Sequence, residues 1–280
     1  MTVSKIELGR IGAAISLGDD PGAVEAAAEL DRLGYQTIWL AGGSLRSLDQ
    51  IAAVVRATSR ARVATGIISV DQFPADDVAA LYQELERTHP GRFVPGLGGA
   101  HGADPFQTLN AYLDRLDATV PAAARLLAAM GPRMLDLARS RAAGALPVLI
   151  TPEQTTAVRA RLGEDSTLVV QQLAVLDADP DADPARARAA ARGPLGFLGG
   201  LPAYQASFRR MGFTEEEIDQ RADRLVDALI PHGDPAGLAA VVQSQLAAGA
   251  DHVAVMLVAD ESQSPPLAQY RQLAKHLIPA

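Results

Sequence analysis

The sequence predicts a (β/α)8 barrel, and two observations lead to this fold class. Eight short apolar runs, rich in β-branched residues, alternate with longer amphipathic stretches, which is the rhythm of parallel strands joined by helices. The main competitor is a doubly wound open sheet, but no Gly-x-Gly-x-x-Gly turn follows the first run. At 280 residues the chain has the length of one barrel, so we expect a single domain over residues 1–280.

The eight predicted strands are separated by gaps that mostly hold one helix. They are residues 10–16, 36–41, 62–69, 92–98, 125–130, 146–150, 167–176 and 252–258. Between them, apolar residues recur at i, i+3 and i+4, which predicts amphipathic helices. The first of these stretches ends on Gly34, a residue type common just past a helix. The predicted helices between strands include residues 22–34, 47–59, 76–88 and 131–144.

The gap between the seventh and eighth strands is far longer than one helix, which predicts an insertion over approximately 177–231. Its first part, 177–193, is biased toward Asp, Pro, Ala and Arg, with one possible helix, and its middle part holds three of the six phenylalanines and Tyr204. Residues 214–230 are amphipathic and begin with a Thr and Glu spacing that fits a capping box. In a barrel this insertion leaves from the face that carries active sites. Its role as a lid, as a wall of the substrate pocket or as a dimer contact is left undecided by the sequence.

Composition excludes several function classes. The net charge of −8 argues against nucleic acid or an anionic membrane as the main partner. No cysteine is present, which excludes disulfides and thiolate chemistry, and no histidine pair has metal-ligand spacing, so no metal is predicted. No apolar run reaches the roughly 20 residues that cross a bilayer, and the first residues lack a secretory pattern. We therefore expect a soluble, cytoplasmic protein.

The loops at the carboxyl ends of the predicted strands are short and rich in glycine, and this rim is where barrels carry their chemistry. It offers few acids, bases or nucleophiles, and its shape suits a large flat ligand lying against bare backbone. After the fifth strand, Gly131 and Pro132 begin a helix whose free N–H groups, with Arg133 nearby, form a candidate phosphate site. A plain strand–helix turn is an equally good interpretation of that segment.

Five segments, taken in order, resemble the bacterial luciferase-like oxidoreductases, most closely their coenzyme F420-dependent branch. The resemblance covers nearly the whole chain, and the turn Gly-Arg-Phe leading into Gly-Leu-Gly is its most characteristic part. The segments are AAELDRLGYQTIWLAGG (27–43), IAAVVRATSRARVATGI (51–67), LERTHPGRFVPGLGGAH (85–101), AAMGPRMLDLARSRAAGALP (128–147) and LAAGADHVAVML (247–257).

The resemblance implies a deazaflavin of the F420 type, or FMN as the alternative, at the carboxyl-terminal mouth of the barrel, and it implies a homodimer. The ring would rest on a bulge of the third strand, often with a non-proline cis peptide, and the fourth-strand end would line its edge. The fifth-strand end would reach the ribityl and phosphate part. The implied cofactor contacts are Thr65, Gly66, Ile67, Gly98, Gly99, His101, Ala129, Met130, Gly131 and Arg133.

One departure concerns proton transfer. Many relatives carry an acid–histidine pair after the second strand, where this chain has Ala41, Gly42 and Gly43. His101 is therefore the predicted catalytic residue, because imidazole titrates near neutral pH and can act as a general acid or base. His252, at the start of the eighth strand, is predicted to be structural.

The predicted function is hydride transfer between F420 and a small, apolar organic substrate. An FMN-dependent luciferase-like monooxygenase and a non-catalytic cofactor-binding barrel remain as alternatives. Gln171 and Gln172 are unusual within an apolar strand, and one of them must face the interior of the barrel, where a ligand or an internal hydrogen bond would satisfy it.

Overall fold

The computed structural model of the protein describes residues 5–177, 184–258 and 265–279. Within these residues, eleven strands pair in parallel. They are β1 (Ile11–Ile15), β2 (Thr37–Ala41), β3 (Arg62–Gly66), β4 (Ile68–Ser69), β5 (Phe93–Val94), β6 (Gly96–Gly98), β7 (Leu126–Leu127), β8 (Gly144–Ala145), β9 (Thr167–Leu176), β10 (His232–Gly233) and β11 (His252–Leu257).

The sheet closes into a barrel in which two strands are interrupted. The strand order is β4-β6-β7-β8-β9-β11-β1-β2-β3-β5, with β10 attached to β9. β4 continues β3 after a break at Ile67, and β6 continues β5 after a break at Pro95. The two ends of the path are thus halves of neighbouring strands, since β3 pairs with β5 and β4 pairs with β6. Counting each interrupted strand once gives eight, and the predicted (β/α)8 barrel is confirmed.

Helices surround the sheet and join consecutive strands. They are α1 (Ala23–Arg32), α2 (Asp49–Ala57), α3 (Ala75–Thr88), α4 (Pro105–Leu116), α5 (Pro132–Arg141), α6 (Pro152–Leu162), α7 (Pro184–Leu198), α8 (Pro202–Arg210), α9 (Glu215–Gln220), α10 (Asp223–Leu229), α11 (Pro235–Ala247) and α12 (Leu267–Leu277), with short 3-10 turns at Gly42–Ser44 and Ala122–Ala124. The apolar faces of α1 to α6, α11 and α12 pack on the outside of the barrel in one continuous core.

The sixth strand is displaced from its predicted position. The prediction was 146–150, whereas β8 is Gly144–Ala145 and only Val148 of the predicted run bridges to β9. Neither β8 residue is β-branched, so composition did not mark it as a strand. A Cβ added to Gly144 would lie 1.8 Å from the Thr167 carbonyl oxygen, so the small residue is required by the close approach to β9. Pro147, which has no N–H to donate, follows within the predicted run.

Four helices, α7 to α10, lie between β9 and β11. The stretch that resembled one helix at 214–230 forms α9 and α10, separated at Arg221, which adopts a left-handed conformation with φ of 48°. The capping box predicted at the start of α9 is present, between Thr214 and Glu217. The Asp- and Pro-rich residues 178–183 of the predicted insertion lie outside the described residues. Apolar side chains of α7, α8 and α10, among them Phe208, pack with Leu173 and Val175 of β9.

The barrel interior near the amino ends of the strands is filled by the protein's own side chains. Trp39 and His252, both buried, meet there: Trp39 Nε1 donates to His252 Nε2 at 2.9 Å, and His252 Nδ1 lies 2.8 Å from the Gly9 carbonyl oxygen. The tryptophan donor and the carbonyl acceptor require a neutral ring protonated at Nδ1. Burial lowers the pKa of His252 to about 4, although the Gly9 hydrogen bond opposes that shift.

Candidate functional site

The third strand bulges at the mouth of the barrel, between β3 and β4. The peptide bond from Gly66 to Ile67 is cis and does not involve proline, which is the feature that the resemblance implied at this position. Gly42, from the 3-10 turn after β2, packs directly behind the bulge, because a Cβ on Gly42 would lie 1.9 Å from the Ile67 carbonyl oxygen. Below the bulge, Gly98 accepts a hydrogen bond from Val70 N at 2.9 Å. Main chain from three neighbouring strand ends therefore forms this part of the mouth.

Some of the glycines in this rim are required by close contacts between neighbouring strands. A Cβ on Gly96 would lie 2.0 Å from the Thr65 carbonyl oxygen, and one on Gly98 would lie 2.8 Å from the Ala128 Cβ. The strands themselves are thus too close for larger residues at these two positions. A bound ligand is therefore not needed to explain glycine at these two positions. Gly99, in contrast, has φ of 75° and lies partly exposed at the end of β6.

Thr65, predicted to contact the cofactor, is fully buried and its hydroxyl is used within the sheet. Its Oγ1 donates to the Gly96 carbonyl oxygen and accepts from Gly96 N, both at 3.0 Å. Gly98 and Gly99 are brought to the bulge, since Cβ atoms on them would lie 3.6 and 3.2 Å from Ile67 Cδ1. The predicted group around Gly66, Ile67, Gly98 and Gly99 is therefore contiguous in space.

His101 belongs to an acid–histidine pair that the sequence did not reveal. Its Nδ1 lies 3.2 Å from Asp71 Oδ2, and the same oxygen accepts a hydrogen bond from the His101 backbone N–H at 2.9 Å. The side chains are 60% and 40% exposed, so both reach solvent at the mouth. The pair comes from the loops after β4 and β6, whereas relatives were expected to carry one after β2. Asp71 could have been found by asking which acids follow neighbouring strands at the same edge.

The fifth-strand loop forms a second part of the rim. Gly131 is the N-cap of α5 with Pro132 at N1, no side chain caps this helix start, and a Cβ on Gly131 would meet nothing within 4 Å. The guanidinium of Arg133 lies over the Phe106 ring, 4.8 Å from its centroid, while Ala129 is buried in the outer core. Arg210 of α8 reaches this loop and donates from Nη2 to the Met130 carbonyl oxygen at 3.2 Å.

A cleft of about 470 Å³ lies beside that arginine, between the start of α6 and helices α8 to α10. Thr151 caps α6 at the cleft, and Arg224 lies 4.7 Å from the Phe213 ring centroid while pairing with Glu217. The cleft combines apolar and cationic surface. Its lining residues are Thr151, Glu153, Gln154, Arg210, Met211, Phe213, Arg224 and Ala228.

The two adjacent glutamines of β9 face opposite sides of the barrel wall. Gln172 points outward, where its Nε2 donates to the Leu173 and Leu229 carbonyl oxygens and its Oε1 accepts from Gln245 Nε2 at 2.9 Å. Gln171 points inward and ends beneath the bulge, since a Cβ on Gly66 would lie 3.1 Å from Gln171 Oε1. One of the two glutamines is thus satisfied by the protein, and the other is directed at the mouth.

Comparison with known proteins gives a fold match over nearly the full chain. The chain superposes on a coenzyme F420-dependent tetrahydromethanopterin reductase from Methanopyrus kandleri with a TM-score of 0.75 and 16% identity, covering 96% of this chain and 99% of that one. An F420-dependent secondary alcohol dehydrogenase in complex with an F420-acetone adduct matches with a TM-score of 0.72 and 15% identity, covering 96% and 98%. The chain has the luciferase-like barrel fold.

Luciferase-like barrels that bind FMN match as well. The oxygenating constituent of 3,6-diketocamphane monooxygenase from Pseudomonas putida, in complex with FMN, has a TM-score of 0.66 and 10% identity, covering 96% of this chain and 97% of that one. In sequence, 4-hydroxyprotoasukamycin monooxygenase from Streptomyces nodosus subsp. asukaensis is 31% identical over 121 residues. That match covers 36% of this chain, and the chain spans only about a third of that enzyme's length.

No protein-family profile matches the chain. None of the helices in residues 5–177, 184–258 and 265–279 of this luciferase-like barrel is both long enough and apolar enough to span a membrane.

Proposed function

We propose that the protein is an oxidoreductase that uses a deazaflavin of the F420 type to exchange a hydride with a small, apolar organic molecule. The observation that carries this proposal is the wall of main chain around Ile67, formed by Gly42, Gly66, Gly98 and Gly99, at the carboxyl-terminal mouth of a luciferase-like barrel. A flat ring needs a surface with few projecting side chains, and the residues that border this bulge are small.

The residues present fit such a cofactor in two further respects. The inward amide of Gln171 provides a polar group below the bulge, where a ring lying on Gly66 and Ile67 would meet it. At the other end, Gly131 leaves open space at the start of α5, where the N–H groups of a helix favour a phosphate, and the Arg210 guanidinium lies at the preceding Met130. Arg133 follows Pro132 in this helix, with its guanidinium over the Phe106 ring. The bound deazaflavin would supply the hydride-carrying carbon.

The protein's own contribution in this proposal is to orient the ring, exclude water and handle a proton. His101 is the proposed proton-transfer residue. With its Nδ1 on Asp71, its Nε2 is the ring atom left to give or take a proton, and the two contacts to Asp71 restrict where that atom lies. Asp71 is a positioning residue in this arrangement.

A titration of the purified protein tests the cofactor. F420 and FMN are added separately, in oxidised and reduced forms, and binding is followed by the quenching of cofactor fluorescence or by the shift of its absorbance. The proposal expects F420 to bind and to exchange hydride with at least one small alcohol or ketone in a substrate screen. Tight binding of FMN without binding of F420 would overturn the choice of deazaflavin.

An FMN-dependent monooxygenase is the second candidate, and the local sequence match to 4-hydroxyprotoasukamycin monooxygenase favours it. It is separated from the first by oxygen consumption with reduced FMN. Cofactor binding with neither hydride transfer nor oxygen consumption would instead favour the non-catalytic barrel. A homodimer, also proposed from the resemblance, is tested by light scattering in solution.

A further inference from the structure

Gln171 is a carboxamide enclosed by apolar groups inside the barrel. The residue is 9% exposed and its side chain reaches from β9 across to Gly66. Leu146 contributes the next contact at Gly66, with its Cδ2 3.6 Å from where a Cβ would lie, and Met256 lies within reach of the amide nitrogen. The interior cluster around these residues is otherwise built from alanine, valine, leucine and isoleucine side chains and Trp39.

The protein does not satisfy this amide. Gln171 Nε2 donates only to the Met256 thioether, at 3.6 Å, and a thioether is a weak acceptor. Its Oε1 accepts no hydrogen bond from any group in the described part of the chain. Amides in largely apolar surroundings are usually hydrogen-bonded, so the amide of Gln171, which is 9% exposed, has hydrogen-bonding capacity left for a ligand.

The neighbouring glutamine shows that this fold can satisfy such an amide. Gln172 uses both ends of its side chain, through the Leu173 and Leu229 carbonyl oxygens and the Gln245 amide. Its network extends to Thr155, whose hydroxyl donates to Gln245 Oε1 at 2.6 Å. Gln172 on the outside of the barrel is therefore fully hydrogen-bonded, whereas Gln171 on the inside has donors and acceptors left over.

We propose that Gln171 binds the imide edge of the cofactor ring, which fixes how deeply and in which orientation the ring enters the mouth. This inference rests on the proposed function. The pyrimidine part of both flavins and deazaflavins carries an N3–H between two carbonyl groups. A carboxamide matches that edge with two hydrogen bonds, because its oxygen accepts from N3–H while its nitrogen donates to an adjacent carbonyl oxygen. Gln171 therefore recognises what the two cofactor classes share.

The test compares each cofactor with its 3-methyl derivative, which lacks the N3–H. FMN and 3-methyl-FMN, and in a parallel set F420 and 3-methyl-F420, are titrated into the wild type, Gln171→Met and Gln172→Met. The wild type should bind the parent about tenfold more tightly than the derivative, or better, which corresponds to about 1.4 kcal/mol. In Gln171→Met that ratio should fall to about one, because the discriminating acceptor has been removed.

Gln172→Met is the matched control. It should lower the melting temperature, because its partners Gln245 and Leu229 lose their hydrogen bonds, yet it should keep the wild-type binding ratio. Methionine resembles glutamine in length, so Gln171→Met is expected to fold. Gln171→Leu is a second variant with the same expected ratio, and circular dichroism and a melting curve accompany both.

The outcomes separate this inference from the proposed function. A wild type that binds a parent cofactor no better than its 3-methyl derivative overturns the assignment of Gln171 and leaves the proposed function intact. A Gln171→Met variant that binds the parent cofactor and keeps the wild-type ratio does the same. A wild type that binds neither F420 nor FMN overturns both.

Discussion

The imidazole of His101 and the carboxylate of Asp71 are held together by two contacts to one oxygen atom. Asp71 Oδ2 lies 3.2 Å from the ring Nδ1 and 2.9 Å from the backbone nitrogen of His101. The ring is thus oriented by a residue from the preceding strand loop, and the loop after β6 is attached to the loop after β4.

If His101 transfers the proton in the proposed reaction, His101→Ala should reduce hydride transfer by roughly 100-fold or more while changing cofactor affinity only a few-fold. Asp71→Ala should reduce turnover by about tenfold, since the ring remains but is no longer oriented. Asp71→Glu should recover part of that loss, because it keeps a carboxylate that can orient the ring. If Asp71 only held the loop in place, no such recovery would be expected. Stopped-flow measurement of cofactor oxidation checks all three. Equal turnover in His101→Ala and wild type would remove His101 from the mechanism.

Acid should destabilise the fold through His252. Its folded-state pKa, about 4, lies below the ordinary value of 6.5, so the unfolded chain takes up a proton first as the pH falls. Stability is therefore complete above about pH 6.5 and is lost progressively down to about pH 4, by up to about 3 kcal/mol.

Urea denaturation from pH 7 to pH 4 measures this loss. His252→Gln should be less stable at pH 7, because the ring's contacts to Trp39 and Gly9 change, but its stability should fall less steeply with acid. Parallel curves for the variant and the wild type would contradict a titrating His252.

Two neighbouring arginines of α8 should differ in their effect on cofactor binding. Arg210 reaches the Met130 carbonyl oxygen at the proposed phosphate end, whereas Arg209 pairs with Glu215 on the surface. Arg210→Ala should weaken binding of FMN several-fold and leave riboflavin, which has no phosphate, nearly unchanged. Arg209→Ala should alter neither. Calorimetric titration of the wild type and both variants with each ligand gives the six affinities. An equal loss for FMN and riboflavin in Arg210→Ala would place the phosphate elsewhere.

Replacing two rim glycines by alanine should affect the stability of the fold differently. Gly96→Ala places a Cβ 2.0 Å from the Thr65 carbonyl oxygen, so β3 and β6 must separate, and we expect a loss of roughly 1–3 kcal/mol or more. Gly131→Ala meets nothing within 4 Å and has ordinary extended backbone with φ of −92°, so its stability should stay within about 0.5 kcal/mol. Thermal denaturation compares them. A Gly96→Ala variant as stable as the wild type would contradict the close strand approach.

The sequence predicted the barrel because most strands are marked by β-branched residues and by the length of the gaps between them. It misplaced the sixth strand, because Gly144 and Ala145 carry no such mark and are selected by the narrow distance to β9. It also did not predict β10, which consists of only two residues, His232 and Gly233. A two-residue strand forms because an adjacent strand pairs with it. Its own sequence is too short to show a β-strand pattern.

Some residues of the candidate site were predicted from the sequence, and others were missed because their partners are distant in the chain. The bulge at Gly66 was implied by the family resemblance, and the rim at Gly98 and Gly99 was marked by glycine at a strand end. Asp71 was missed, although it follows the strand next to that of His101, and Arg210 could not be found because it contacts a loop 80 residues away. Gln171 was recognised as unusual, but only the folded barrel determines which of two adjacent amides faces inward.

The alternation along β9 makes this strand unusually sensitive to length. Side chains of a strand project to opposite sides in turn, so deleting or inserting a single residue before Gln171 would exchange the two amides. The lumen would then receive the glutamine that joins β9 to α10 and α11, and the outer helices would lose their shared hydrogen-bonded partner. Insertions and deletions should therefore be tolerated far more readily beyond Leu176 than within the ten residues of β9, Thr167–Leu176.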